Sequence, residues 1–262
     1  MTKSERVAIN YNDFQKTLKE NNLSEVCQYL ESLWDTYVSY MPISFNIANK
    51  MAEIIFQGEK EFFANMENEF IKQSNGDSLV VSYRPKISDF PQNICNVEGV
   101  EIDAEVMFRK SVYDFFHWAR ICIELSYQFI NVASLGSDRI DIERLNEKNL
   151  KEKLKQKSEC QNLLNMINEA IDNPEYKYIQ AFDNCAKHIR LIHSEVRGIQ
   201  ITFGMKPPPK FTISAFSHKG HSYEELDTLE KIDRAESFVR EFIYQLLLEI
   251  YNIIQGSKEM GY

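Results

Sequence analysis

Four of the five histidines in this 262-residue chain, His188, His193, His218 and His221, fall within Asn184–Ser222. The same stretch holds six basic residues (Lys187, Arg190, Arg197, Lys206, Lys210, Lys219) against one acid, Glu195. That is a local charge of +5 in a chain whose formal net charge is −9. Imidazoles titrate near neutral pH, and clustered cations draw anions. The pattern points to an anionic ligand or to acid–base chemistry.

These groups need an element to hold them. Periodicity predicts a helix over Pro174–Val196, opened by the Asn173-Pro174 start signal. At about 100° per residue, Phe182, Cys185, Ile189, Ile192 and Val196 share one apolar face, and His193 falls on it. Arg190 borders that face, and Arg197 joins the same edge if the helix runs that far. Asn184, Lys187, His188 and Leu191 occupy the other side. The candidate catalytic groups are therefore Arg190, His193, Lys187 and His188, with Asn184 and Arg197 as ligand-binding groups. A histidine on an apolar face also serves as a hydrogen-bonded core residue, and an exposed Lys187/His188 pair as a solvated face.

A second stripe lies on the long apolar helix predicted over Asp103–Ser134: Arg109, Tyr113, Phe116, His117, Arg120, Glu124 and Tyr127. Charges on an otherwise buried helix must pair or line a cavity. Arg120 and Glu124 are the obvious internal pair. Arg109, His117 and Arg120 are the candidates to bind a ligand in a pocket shared with the His193 helix. His218-x-x-His221 supplies two ligands where structural zinc takes four, and no cysteine pair lies near. No metal and no cofactor is expected, and P-loop, GxGxxG, GxSxG and HExxH motifs are absent.

The segment EYKYIQAFDNCAKHIRLIH, Glu175–His193, carries Asn-x-x-Lys-His-x-Arg with a further histidine close behind. It resembles the signature helix of the HEPN superfamily, the all-helical domains of bacterial toxins, abortive-infection proteins and ribonucleases. The resemblance covers Tyr176–His193 directly and the rest of the chain as fold class. It implies a homodimer in which two motifs meet, RNA as partner, a protein antitoxin, and metal-independent cleavage. A histidine would act as general base on a ribose 2′-hydroxyl while a cation stabilises the phosphorane. The family hallmark leaves four to six residues between arginine and histidine. Arg190 and His193 have two between them, and the cation at acceptable distance is Lys187. The implied function is therefore engagement of RNA or a nucleotide in a toxin or phage-defence setting, with nuclease activity weak or absent. The alternatives are a non-catalytic helical protein-interaction module and a small-ligand-binding bundle using the Arg109/Arg120 stripe.

Composition agrees with a helical protein. Hydrophobic residues make up 44% and charged residues 26%, an ordinary globular balance, and nine glycines and seven prolines are few for this length. The expectation is a mainly α, single helical domain over 1–262, with irregular or β inserts near 75–101 and 198–222. Helices are read over Leu23–Tyr40, ending near Pro42; over Ile43–Ile71, with Gly58 as a break; over the more polar Asp141–Ile171, where the Lys148–Lys157 charge run is a solvated helix face or a helix–helix corner; and over Tyr223–Ile254. Strands are read at Leu79–Tyr83 and Gly198–Gly204, with Phe211–Phe216 as a partner strand. No run of about 18 apolar residues suggests a membrane span. Five scattered cysteines without a CxxC pair suit reduced thiols and a cytoplasmic location. The acidic balance argues against broad nucleic-acid binding and leaves room for a local basic patch.

Overall fold

The computed structural model describes residues 10–21, 23–73, 94–97, 99–188, 192, 194–197 and 210–259, without the side chains of 63, 65–73, 95, 97, 188, 194–197 and 256–259. The fold is mainly α. Helix α1 (Tyr11–Glu20) is opened by Asn10, whose side chain accepts from Asn12 N at 3.0 Å. Helices α2 (Ser24–Asp35) and α3 (Met41–Gln73) are joined through a five-residue π-helical turn, Thr36–Tyr40.

Pro42 explains that turn. It has no N–H to give to the carbonyl of Val38, and its ring crowds the preceding turn. The chain widens instead of stopping, and Met41 N–H bonds to Thr36 O, five residues back. The expected end at Pro42 is thus a π-turn within continuing helix. Gly58 lies inside α3 and breaks nothing.

Strands β1 (Ile94–Val97) and β2 (Val100–Asp103) form an antiparallel hairpin whose turn uses Gly99 at φ 85°. Asp103 then caps α4 (Ala104–Ser134), accepting from Glu105 N at 2.8 Å and Val106 N at 3.1 Å. Helix α4 is apolar on most of its circumference, so it takes the centre of the bundle, packed by α2, α3 and two helices later in the chain. The polar stretch Asp141–Ile171 holds two helices, α5 (Glu147–Leu154) and α6 (Gln161–Asp172), and of the two readings of the Lys148–Lys157 charge run the structure has the helix–helix corner, at Lys155–Lys157 before a short 3-10 turn. Leu150 and Leu154 are all that α5 buries, too few apolar positions to carry the helix onward.

Asn173 opens α7 (Pro174–His188), its side chain accepting from Glu175 N at 2.8 Å. Here the structure corrects the predicted boundary. Helix α7 ends at His188, and β3 (Ser194–Arg197) pairs with β4 (Lys210–Ile213), which pairs in turn with β7 (Leu226–Asp227). Val196 and Arg197 are strand residues, because β4 supplies backbone partners that a longer helix would forgo. Strand β5 (Phe216–His218) pairs with β6 (His221–Tyr223) through Lys219 and Gly220, both at positive φ as a tight hairpin turn demands. The last helix, α8 (Thr228–Glu259), starts five residues after the predicted point, where Asp227 accepts from Glu230 N at 2.9 Å. Tyr223 and Leu226 belong to strands. The strands read at Leu79–Tyr83 and Gly198–Gly204 lie outside the described residues.

Phe108, Phe115, Phe116, Phe129 and Phe182 are fully buried, and Phe116 meets Phe182 at 4.3 Å between ring centroids. That contact sets the spacing of α4 and α7. Among the described residues, no helix is long and apolar enough to cross a membrane.

Candidate functional site

The polar stripe of α4 faces α7, and two clusters form along the seam. At one end, Asp183 sits on α7 with its side chain only 5% exposed. Its Oδ1 lies 3.1 Å from Nδ1 of His117, and its Oδ2 lies 2.8 Å from Nζ of Lys187, one helical turn on. The side chains of both partners stay 40% exposed. A buried carboxylate needs compensation, and these two groups supply it. The consequence is a fixed imidazole. With Nδ1 held by Asp183, Nε2 has no hydrogen-bond partner among the described residues, which frees it to give or take a proton.

One turn before His117, the Tyr113 hydroxyl donates to the backbone carbonyl of Ile192. This bond ties the chain of the basic Asn184–Ser222 stretch to α4. At the other end of the seam, Arg120 Nε pairs with Glu124 Oε1 at 2.9 Å, the pair expected from their spacing. Its Nη1 is buried without a hydrogen-bond partner among the described residues. The Tyr127 and Tyr176 hydroxyls lie 3.0 Å apart, and Tyr176 donates to Glu147 Oε2 at 3.2 Å, which Lys151 approaches through Oε1 at 3.5 Å.

The structure therefore brings His117 and Lys187 together and sets Arg120 one turn along α4. Arg109 stands apart. It pairs with Glu105 at 3.2 Å, and eight residues, about 12 Å along the axis, separate it from His117. Asn184 follows Asp183 on α7 and is half-buried. His188 is the last residue of α7, and Arg197 closes β3 rather than extending a helical edge. Arg190 and His193 lie outside the described residues. His218 and His221 are cross-strand neighbours in the β5–β6 hairpin, and no group of three or more His, Cys, Asp or Glu able to hold a metal occurs among the described residues.

The residue that sequence reasoning missed is Asp183. Its signal was present: an acid one turn before Lys187, on the side of the helix that carries Tyr176 and Ile179. What the spacing did not reveal was its partner on α4, 66 positions away.

Burial pushes the Tyr113 hydroxyl up to about 12, against the lowering effect of its bond to Ile192, and pushes the Cys122 thiol up to about 12. It also raises Tyr127, Tyr176 and Tyr178. Unfolded, these groups would ionise near 10.0 for tyrosine and 9.0 for cysteine. The folded state then holds more protons than the unfolded one, so stability is full below pH 9 and falls as pH rises toward 12. A melting temperature that declines across that window is the expected result; a flat profile would contradict it.

Against this geometry stand the comparisons with known proteins. Nothing matches. No family model, no curated protein and no solved structure is similar to the chain at a significant level.

Proposed function

We propose that the chain engages single-stranded RNA or a nucleotide at the α4–α7 seam, as a divergent HEPN-like protein in a toxin or phage-defence setting, with nuclease activity weak or absent. The observation that carries this reading is His117, held at Nδ1 by the buried Asp183 and standing beside Lys187. Nε2 of the imidazole and the ammonium of Lys187 together suit a phosphate or a ribose hydroxyl. The local charge of +5 that begins at Asn184 supports an anionic ligand at the end of α7. The reading of weak catalysis follows from pairing. Lys187 already neutralises Asp183, and the Arg120 guanidinium is 15% exposed and bound to Glu124. Neither is a free cation poised for a phosphorane.

Fluorescence anisotropy with labelled single-stranded RNA in EDTA and low salt tests the proposal. The wild type should bind, and His117→Ala and Lys187→Ala should each weaken binding by about tenfold, the scale of one charged hydrogen bond. Asp183→Asn keeps an acceptor for Nδ1 and removes the charge that Lys187 neutralises, so it should bind RNA at least as tightly as the wild type. Absence of binding to RNA and to nucleotides overturns the reading. Rapid cleavage lost by about 10²–10⁴-fold in His117→Ala would overturn its second half, since that is the size of a general acid–base effect.

A non-catalytic interaction module is favoured by one other observation. Phe56 and Ile94 are exposed apolar side chains that line one open cleft beside α3 and β1.

A further inference from the structure

Beside His117 the surface carries a stacked pair of aromatic rings. Tyr40 stacks on Trp118 with centroids 4.6 Å apart and planes inclined by 19°. Tyr40 is 50% exposed, and Trp118 is only partly buried. The indole also lies 5.5 Å from the His117 ring. Tyr40 ends the π-turn that Pro42 imposes, and the extra residue in that turn advances the helix by about 100° of phase. Without it Tyr40 would point elsewhere around the rod. Ile43, three residues on and exposed, extends the apolar border of the pair.

We propose that Tyr40 and Trp118 form a stacking platform for an unpaired base of the ligand whose phosphate or ribose meets His117 and Lys187. The proposal rests on the RNA or nucleotide reading given above and adds where the base goes. A flat, half-open aromatic pair gives its face to any base, so recognition tolerates sequence and demands a base free of its own stack. The separation between indole and imidazole is short enough for a single nucleotide to touch both. Duplex RNA cannot offer a splayed base without unpairing, so the platform selects single strands.

Two tryptophans, Trp34 and Trp118, make the test direct. Trp34 stacks on Tyr11 instead, with centroids 4.6 Å apart, and belongs to another part of the surface. In a Trp34→Phe protein all indole emission reports Trp118. Titration with oligoadenylate should quench it, with the same midpoint as the anisotropy of a labelled strand. Tyr40→Ala should weaken binding by roughly 5- to 150-fold, the range for one base–aromatic stack. Tyr40→Phe should retain it, and a duplex should bind at least about tenfold less tightly. The quench on the intact Tyr40 protein needs no change at that site, so the test survives an unstable Tyr40→Ala. Should Trp34→Phe fail to fold, loss of the quench in Trp118→Phe gives the same answer. RNA binding with Trp118 emission unmoved overturns the platform and leaves the seam reading intact. No RNA binding by either readout overturns both.

Discussion

Replacing Glu175 by alanine should cost the fold about 3–5 kcal/mol, the scale for stranding a buried charge. Glu175 stands in the first turn of α7, where the helix dipole favours an acid. Lys231 of α8 comes to it from the other side, 2.6 Å between Nζ and Oε2, with side chains only 10% and 17% exposed. The contact is an ion pair without hydrogen-bond alignment, since Oε2 has no hydrogen-bond partner among the described residues. The ammonium also lies 4.0 Å from the centroid of the buried Tyr178 ring. Taking away the carboxylate leaves that ammonium in a low-dielectric site with the ring's quadrupole as its remaining partner among the described residues. Lys231→Met in the Glu175→Ala background should then restore most of the loss, because both charges are gone. Urea unfolding of the four proteins measures the coupling. A Glu175→Ala loss below about 1 kcal/mol, the size of a surface pair, would show that Lys231 reaches water.

Phe116→Ala should cost a similar 3–5 kcal/mol, for a different reason. The ring is fully buried and touches Phe115, Tyr178 and Phe182, with centroids at 5.3, 5.5 and 4.3 Å. Its removal deletes apolar contact and leaves a cavity between α4 and α7 that close packing cannot fill without movement. Against a total stability of about 5–15 kcal/mol, that is a large share. The site should feel it as well. His117 follows Phe116, and Asp183 follows Phe182, so relaxation of this ring pair displaces the imidazole from its carboxylate. RNA affinity should fall even where the variant is fully folded. Phe116→Leu should lose less in both measurements, because most of the volume stays. Calorimetry and anisotropy on the same samples separate the two effects.

How much of this was legible beforehand differs from residue to residue. Asp103 ahead of an apolar run and Asn173-Pro174 ahead of another were readable as helix starts, and both caps occur. The polar stripe from Arg109 to Tyr127 and the Arg120–Glu124 pair followed from spacings of three and four. All of these are local, with signals inside one or two turns of chain. Pro42 shows where local reasoning stops. A proline reads as a helix end, yet burial of α2 and α3 against α4 outweighs one lost hydrogen bond, and the backbone absorbs the defect as a π-turn. The end of α7 was decided in the same way, by a partner strand that begins at Lys210. The seam is the clearest case. His117 and Lys187 could be named as polar residues on their helices, but Asp183 gains its role only when α4 lies beside it, and Tyr40 meets Trp118 only because the π-turn sets its phase. Sequence determined which faces must be buried and where most helices begin, because caps and periodicity are local. Tertiary packing alone decided which polar groups meet, because pairing across 66 or 78 positions leaves no trace in local spacing.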